Sequence, residues 1–302
     1  MDLKSKIILI YGPTASGKSK FAVQLAKRIN GEIINADSMQ VYKELKILSA
    51  RPSQKDYQNI KHHLYGFQHV KKNFSTGDWL KQTNKKIIDL RKRKKTAILV
   101  GGTGLYFKAL TNGLVSIPNI PVRLRTKIRF LHKKLGSKKF FSELIKLDPL
   151  VKNQIELSDT QRCIRAYEVK LFTKRSIYNW FKNTHSLYEE KDFHKIYVDF
   201  PRNELLNRIN IRVQKMIKNG AVLEVEKFIQ LKVQKDKTAN KAIGISEVRE
   251  YLNKKIDINE VIEKISIKTR QYAKRQSTWA RGNMQNWNKM NPIQLKNFLK
   301  KF

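Results

Sequence analysis

The segment GPTASGKS has the residue spacing of a phosphate-binding loop, G-x-x-x-x-G-K-[ST]. Such a loop offers backbone N–H groups and the N-terminus of the following helix to phosphate oxygens. Lys18 would add a positive charge, and the hydroxyl of Ser19 would be a ligand for Mg²⁺. The pattern predicts a phosphate site, without saying which phosphate compound binds, formed by Gly12, Pro13, Thr14, Ala15, Ser16, Gly17, Lys18 and Ser19.

Asp37 follows the apolar segment Glu32–Ala36, which reads as a strand. A carboxylate at a strand end can act as a general base or bind Mg²⁺, and it can equally cap a helix. A phosphate-loop ATPase also needs an acidic residue that closes an apolar strand. The segment Thr96–Val100 ends in glycines instead, and Asp199 is the nearest match, so an ATPase is disfavoured while a small-molecule kinase stays open.

The phosphate loop, Asp37 and the glycines after Val100 each follow a predicted strand. These strands are Ile7–Tyr11, Glu32–Ala36 and Thr96–Val100, and helical patterns alternate with them. The alternation predicts an α/β fold with a P-loop NTPase-like parallel sheet flanked by helices. Ligands of such sheets bind at the carboxyl ends of the strands. The phosphate loop, Asp37 and the turn Gly101–Gly104 should therefore meet at one edge.

The chain changes character after this first part, residues 1–114. Pro118 and Pro121 mark a connection, and residues 115–195 read as an inserted, mainly helical domain with basic faces. Residues 196–302 return to the core with a predicted strand, Ile196–Phe200, and a helical C-terminus in which Gly220 lies at a helix end.

The charge balance predicts a polyanionic partner, because 63 Lys and Arg face 25 Asp and Glu, for a net charge of +38. A Lys-rich genomic composition is the alternative explanation.

The single cysteine excludes an intrachain disulfide and a Cys-based zinc site, which suits a reducing cytoplasm. The run Ile7–Tyr11 is too short to span a membrane.

Two basic segments have helical spacing. In DTQRCIRAYEV, Gln161 and Arg165 share a helix face. In TRQYAKRQSTWAR, basic residues alternate with aromatic ones, as in single-stranded nucleic-acid sites. A solvated basic surface and core packing of the aromatic rings are the respective alternatives. The pair His62-His63 has no third ligand at metal spacing and is interpreted as structural.

Seven segments occur together in one order, GPTASGKS, DSMQVYKEL, HHL, GGTGLYFKAL, DTQRCIRAYEV, RINIRVQKMI and TRQYAKRQSTWAR. In this combination the chain resembles the tRNA dimethylallyltransferases, the IPP transferase family, from about Ile7 to Trp287. The resemblance implies a cytoplasmic, monomeric enzyme that uses Mg²⁺. It implies transfer of the five-carbon group of dimethylallyl diphosphate to N6 of adenosine 37, in tRNAs that read codons beginning with U, with release of pyrophosphate.

The resemblance also implies roles for residues. Asp37 would be the base, and Lys18, Arg212 and Thr103 would complete the catalytic group, with Ser19 on the metal. The residues that the resemblance implies contact tRNA are Asp37, Ser38, Met39, Gln40, Thr103, Arg125, Gln161, Arg162, Cys163, Ile164 and Arg165. The spacing of the last basic segment adds Arg270, Lys274 and Arg275 to this set.

The chain departs from the family pattern in two places. After DSMQVY it reads KELKILSARP, where Arg51 stands in for the usual Lys, and Ile245 replaces a Tyr in AIGISEV.

The competing hypotheses are a small-molecule kinase, a non-catalytic RNA-binding protein with a vestigial loop, and prenylation of free AMP. The basic insertion disfavours the last, because a mononucleotide needs no extended basic surface.

Overall fold

A computed structural model of the chain describes residues 3, 5–182 and 184–302. The chain forms two compact units, Met1–Thr111 with Tyr188–Phe302, and Asn112–Leu187. No helix in the described part of the chain is both long and apolar enough to cross a membrane.

The first unit is built on a sheet whose strands are β1 (Ile7–Tyr11), β2 (Gly31–Asn35), β3 (His62–His63), β4 (Thr96–Gly101), β5 (Phe193–Val198) and β6 (Asn288–Met290). Their order is β3-β2-β4-β1-β5-β6, and every neighbouring pair is parallel. The predicted parallel sheet with flanking helices is confirmed. The last predicted strand begins three residues early, at Phe193, because Phe193 to Tyr197 pair in register with Ile7 to Tyr11.

The helices of the first unit are α1 (Lys18–Arg28), α2 (Gln54–Tyr57), α3 (Thr76–Lys92), α4 (Gly104–Asn112, which runs to the start of the second unit), α8 (Arg202–Lys218), α9 (Ala221–Gln230), α10 (Ile245–Leu252), α11 (Ile258–Asn283) and α12 (Pro292–Leu299). The second unit contributes α5 (Val122–Leu147), α6 (Thr160–Thr173) and α7 (Ile177–Phe181).

Alternation along β1 produces a core on each face of the sheet. Ile7, Leu9 and Tyr11 join one buried cluster with side chains of α3, α4 and α11. Ile8 and Ile10 join another with side chains of α1 and α12. All five residues of β1 are buried, as expected of a central parallel strand, so the loop that leaves Tyr11 starts from a fixed position.

A third cluster joins α8 to α11 with the segment that follows β2, around Val41, Tyr42 and Leu45. Gly220 separates α8 from α9 with a φ of 93°, a backbone conformation that favours glycine. The second unit has its own core, centred on Phe140, Leu144 and Val169. Its long helix α5 is kinked at Gly136, where φ is 73°.

Candidate active site

The phosphate loop joins β1 to α1 at the carboxyl edge of the sheet. Ala15 and Gly17 both have left-handed backbone, with φ of 67° and 84°. Helix α1 has no acidic residue in its first turn and no side chain capping its N-terminus. The N-terminal amides of α1 therefore have no carboxylate competing for them, which suits an anionic ligand.

Lys18 lies in the loop with its ammonium close to the backbone. Its Nζ donates a hydrogen bond of 3.1 Å to the carbonyl oxygen of Pro13. Burial lowers the pKa of Lys18 to about 8; the Asp37 carboxylate opposes this shift, and the Arg212 guanidinium adds to it. A bound diphosphate would raise this pKa again and so stabilise the charged form, which suits Lys18 to binding a phosphate oxygen.

Arg212 comes to the same loop from α8. Its Nη1 donates a hydrogen bond of 2.8 Å to the hydroxyl of Thr14. Burial lowers the pKa of Arg212, and the nearby Arg208 lowers it further, while Asp37 raises it. An arginine keeps its charge even so, and Lys18 and Arg212 together give their shared cavity more positive charge than Asp37 balances, which favours an anionic ligand.

Asp37 follows β2 in a tight turn. The side chain of Asn35 accepts the N–H of Asp37 at 2.8 Å, and Asp37 Oδ1 accepts from Met39 N at 2.9 Å and Gln40 N at 3.4 Å. Oδ1 thus caps a turn and not a helix, because no helix begins between Asn35 and Gln54. Oδ2 makes no hydrogen bond in the described residues, so the same carboxylate retains an oxygen that can accept a proton.

The turn after β4 is tied to the turn after β2. Thr103 Oγ1 accepts from Ser38 N at 2.9 Å, and Thr103 N donates to Ala36 O at 3.2 Å. Gly101 has no room for a side chain, because a Cβ there would lie 2.0 Å from the carbonyl oxygen of Ala36. The convergence predicted for the three strand ends is therefore observed.

A cavity of about 230 Å³ gathers these groups. It is lined by Thr14, Ala15, Gly17, Lys18, Ser19, Lys20, Asp37, Gln40, Ser49, Ala50, Val100, Gly101 and Arg212. A larger groove of about 780 Å³ lies along α8, α11 and β6, and it contains Arg270, Lys274 and Asp199. The smaller cavity is the candidate active site, because it combines the loop, three cationic residues and a carboxylate.

Oxygen donors in this cavity fit a Mg²⁺ ion. Ser19 and Asp37 both line it, and Mg²⁺ in phosphate sites is held by few protein oxygens together with substrate phosphates and water. No cluster of three or more His, Cys, Asp or Glu suited to a metal occurs in residues 3, 5–182 and 184–302. A metal here would therefore depend on the phosphate ligand for most of its coordination.

Gln276 and Tyr272 also contribute to this site, although no sequence pattern predicted a role for them here. Gln276 is 4% exposed, and its amide oxygen accepts the N–H of Thr14 at 2.8 Å. Tyr272 interacts with Thr103 and Gln276, and burial raises its pKa, as does Asp37. The available signal was a glutamine within the apolar stripe of α11, between Tyr272 and Trp279, where a polar group needs a buried partner.

The divergent segment after Tyr42 is held by backbone contacts. Gln40 Nε2 donates to the carbonyls of Ser49 and Ala50 at 3.1 and 3.2 Å. The carboxylate of Glu224, in α9, accepts the N–H groups of residues 46, 47 and 48 at 2.8, 2.8 and 2.9 Å. Arg51 donates to the carbonyls of Tyr42 and Lys43 at 2.8 and 3.2 Å, so its guanidinium braces the segment.

The second unit contains the predicted RNA-contacting residues of α6. Arg165 and Arg125 both approach the buried carboxylate of Glu168, at 3.5 and 3.8 Å. Gln161 and Arg162 are exposed. Cys163 is 2% exposed within the core of this unit, and Ile164 packs against that core. A thiol enclosed by apolar side chains cannot reach RNA, so Cys163 is removed from the contacting set.

On α11, Lys274 and Arg275 are exposed, and Arg270 is half-buried with Nε donating to Ser266 O at 3.3 Å. The guanidinium of Arg275 lies 5.8 Å from the ring centre of Tyr272.

Two other predicted features have structural roles. His63 Nε2 lies 2.7 Å from Glu32 Oε2, and Arg93 also binds Glu32, at 2.6 Å. These contacts agree with the structural interpretation of the histidine pair. Asp199 pairs with Lys289 at 3.2 Å and lines the larger groove. A carboxylate already paired with a lysine in that groove gives no support to an ATPase.

Comparisons with known proteins agree with the motifs. The family model described as "IPP transferase" matches residues 40–283. A tRNA dimethylallyltransferase of Pelagibacter ubique is 57% identical over 301 residues, covering 100% of this chain and 96% of the relative. One from Agrobacterium fabrum is 41% identical over 294 residues, covering 97% of this chain and 99% of the relative.

Solved structures show the same relationship. The tRNA isopentenylpyrophosphate transferase of Bacillus halodurans superposes with a TM-score of 0.70 at 30% identity, covering 98% of this chain and 95% of that one. A eukaryotic dimethylallyltransferase acting on tRNA gives a TM-score of 0.80 at 26% identity, covering 95% and 74%. Since the family model and the full-length relatives agree, this chain belongs to the IPP transferase family.

Proposed function

We propose that this protein transfers a dimethylallyl group from dimethylallyl diphosphate to N6 of adenosine 37 in tRNA, with release of pyrophosphate. Its full-length relatives are tRNA dimethylallyltransferases, and the chain is a prenyl transferase that acts on tRNA. The observation that carries the residue roles below is the 230 Å³ cavity, in which Lys18, Arg212 and Asp37 meet the phosphate loop.

The loop side of the cavity would bind the leaving group. In the reaction the allylic C–O bond breaks and the diphosphate takes both electrons. Lys18, Arg212 and the N-terminal amides of α1 would stabilise the charge that develops on the departing oxygen, and fixed donors of this kind need no reorganisation as the reaction proceeds. Thr14 holds the guanidinium of Arg212 in place for this task.

Asp37 would accept the proton. The N6 amine of adenine is a weak nucleophile because its lone pair is delocalised into the ring. It must lose one proton as the C–N bond forms, and Asp37 Oδ2 would receive it. Thr103 holds the backbone of Ser38, so it would keep the turn Asp37–Gln40 in position against the adenine.

Mg²⁺ would be held by Ser19, with substrate oxygens and water completing its coordination. When bound it supplies positive charge to the diphosphate.

We assign RNA binding to the basic surfaces of both units. Gln161, Arg162 and Arg165 would contact the anticodon loop from the helical unit, and Arg125 lies beside the same glutamate as Arg165. Exposed basic residues of α11 would contact backbone phosphates. In this proposal the predicted insertion, residues 115–195, shortens to the second unit, Asn112–Leu187, because β5 begins at Phe193 in the sheet. This unit would form a tRNA-binding domain inserted in a P-loop NTPase-like core, and adenosine 37 would leave its stack to reach the cavity. The substrates would be tRNAs that read codons beginning with U, and the enzyme would act as a monomer in the cytoplasm.

A small-molecule kinase is the second candidate, because the loop pattern alone does not distinguish ATP from other diphosphates. It predicts ATP hydrolysis that depends on an acidic residue near the γ-phosphate. Asp199, the nearest match to such a residue in the sequence, is paired with Lys289 and lines the larger groove, which gives this candidate no support.

The decisive experiment uses purified protein, Mg²⁺, dimethylallyl diphosphate and unmodified tRNA that reads codons beginning with U. Mass spectrometry of the digested RNA should show a C5H8 gain on adenosine 37. Asp37→Asn should reduce the rate by about 100-fold or more, because the amide keeps the turn-capping oxygen but cannot accept a proton. Asp78→Asn, which changes a capping carboxylate of α3, is the matched control.

A gain that survives Asp37→Asn would remove Asp37 as the base and keep the enzyme. Absence of any gain, with tRNA still bound, would contradict the proposed reaction.

A further inference from the structure

Gln276 joins two strand-end loops to helix α11. Its amide oxygen accepts the N–H of Thr14 at 2.8 Å, and its amide nitrogen donates to the carbonyl oxygen of Gly102 at 2.9 Å. Its own backbone carbonyl accepts from the hydroxyl of Tyr11 at 2.9 Å. Donor and acceptor of one carboxamide are thus both used, in a side chain that is 4% exposed.

The contact to Thr14 changes what the phosphate loop offers its ligand. The N–H of Thr14 is directed to Gln276, so it does not face the cavity. The hydroxyl of the same residue accepts from Arg212 at 2.8 Å. Thr14 is therefore fixed from two sides, through its backbone by α11 and through its side chain by α8.

The surrounding backbone is shaped to admit this carboxamide. A Cβ on Gly102 would lie 2.0 Å from Gln276 Nε2. A Cβ on Gly104 would lie 2.3 Å from the ring of Trp279, on the same helix. The GGTG turn therefore needs glycine at two positions because α11 packs directly against it.

We propose that Gln276 is a positioning residue that holds the phosphate loop in the conformation that binds the diphosphate. It acts through Thr14 and Arg212 and does not touch the substrate. This inference rests on the proposed function, since it takes the ligand of the loop to be a diphosphate. A carboxamide suits the position because it donates and accepts at once without adding charge beside an anion.

The test measures the affinity for Mg²⁺-pyrophosphate by calorimetry, the KM for dimethylallyl diphosphate and the Kd for tRNA. Gln276→Met keeps the length and removes both hydrogen bonds. It should raise the pyrophosphate Kd and the KM about tenfold, because the N–H of Thr14 loses its partner, while kcat falls less and the tRNA Kd stays within about twofold. Gln230→Met, at an exposed position of α9, is the control that should change nothing.

A second variant keeps the test valid if Gln276→Met fails to fold, which thermal unfolding would reveal. Gln276→Glu retains an acceptor for Thr14 but cannot donate to Gly102 and adds a negative charge, so it should weaken pyrophosphate binding more than tenfold. In addition, Thr14→Val combined with either variant should lose less affinity than the product of the single losses, because both changes act through one residue.

Pyrophosphate affinity within about twofold of the wild type in a folded Gln276 variant would overturn the inference. So would an equal loss of tRNA affinity, which would indicate direct RNA contact. If the wild type binds pyrophosphate in a Gln276-dependent manner and yet transfers no dimethylallyl group, the proposed function fails and the positioning role stands.

Discussion

The guanidinium of Arg212 donates a 2.8 Å hydrogen bond to the hydroxyl of Thr14, although 198 positions separate the two residues in the sequence. The loop that gives the first sign of a phosphate site is therefore completed by a helix from the last third of the chain. Lys18 and Arg212 bring positive charge to one cavity from α1 and α8. Because these two helices are far apart in the sequence, Lys18 and Arg212 can neutralise the charge on the leaving group together only when the first unit is fully folded.

Replacement of Arg212 by Lys should lower the single-turnover rate of prenyl transfer about 100-fold, and Arg212→Ala should lower it further. The shorter reach of an ammonium cannot both bind Thr14 and meet a phosphate oxygen. The rate is measured at saturating tRNA and diphosphate, with Lys218→Ala at the exposed end of α8 as control. A rate within threefold of the wild type would contradict the role of Arg212.

The pH dependence of substrate capture should report Lys18. Its pKa in the ligand-free protein is about 8, and the protonated form attracts the diphosphate. As pH rises through 8, kcat/KM for dimethylallyl diphosphate should decline, approaching about tenfold per pH unit, while below about pH 7 this group adds no dependence. A profile of kcat/KM at saturating tRNA measures this. In Lys18→Arg the decline should vanish, and its persistence would assign it to another group.

Gly101→Ala should impair both stability and activity. The new methyl would meet the carbonyl oxygen of Ala36 at 2.0 Å, and backbone cannot move aside as a flexible side chain would. We expect a loss of about 1–3 kcal/mol in the free energy of unfolding, measured by urea denaturation. Gly282→Ala, in the last turn of α11, is the matched control, since nothing lies within 4 Å of its added methyl. Equal stabilities of the two variants would refute the steric argument.

Glu32 should make stability depend on pH. Hydrogen bonds from Arg93 and His63 hold the pKa of Glu32 at about 2, below the ordinary value of 4.5. The folded state thus binds this proton less readily than the unfolded chain, so the contribution is complete above pH 4.5 and is lost as pH falls towards 2. Glu32→Gln should cost about 2 kcal/mol at neutral pH and flatten the dependence between those values. Denaturant unfolding of both proteins across this range would show it.

Binding of tRNA should depend on salt, and the basic face of α11 should account for part of that dependence. Lys274→Ala and Arg275→Ala should each weaken binding and each reduce the slope of log K against log salt by about 0.7 to 0.9. Lys81→Ala, on the exposed side of α3, is the control for charge alone. If all three variants share one slope change, the effect comes from net charge and not from contact through α11.

The site was predictable from the sequence where a strand ends in a chemically distinctive residue. The loop after Tyr11, Asp37 after β2 and the glycines after β4 all follow apolar strands, and the carboxyl-edge rule brings them together. Arg212 was named only through the family resemblance, because a helix with several basic residues does not reveal which of them turns inward.

Other features depend on tertiary packing that no local pattern records. Gln276 lies in a segment rich in Lys and Arg, which favours an RNA-facing interpretation over a buried one. Cys163 lies among polar and basic neighbours in the sequence, and only the fold of the helical unit encloses it. The start of β5 at Phe193 is fixed by pairing with β1. The segment FHKIYVDFP is apolar along its length, so its sequence alone is compatible with several starting residues for the strand.

Glu224 recognises the segment after Tyr42 by backbone N–H groups alone, at positions 46 to 48. Every amino acid except proline has a backbone N–H group, so these three hydrogen bonds do not depend on which side chains occupy positions 46 to 48. The loss of the usual glycine and threonine there need not displace Gln40 from the cavity, because the carbonyls it binds belong to the same anchored stretch. The exposed positions of the segment are thereby free to vary while its path beside the active site is retained, whereas Leu45 and Leu48 stay buried in the third cluster.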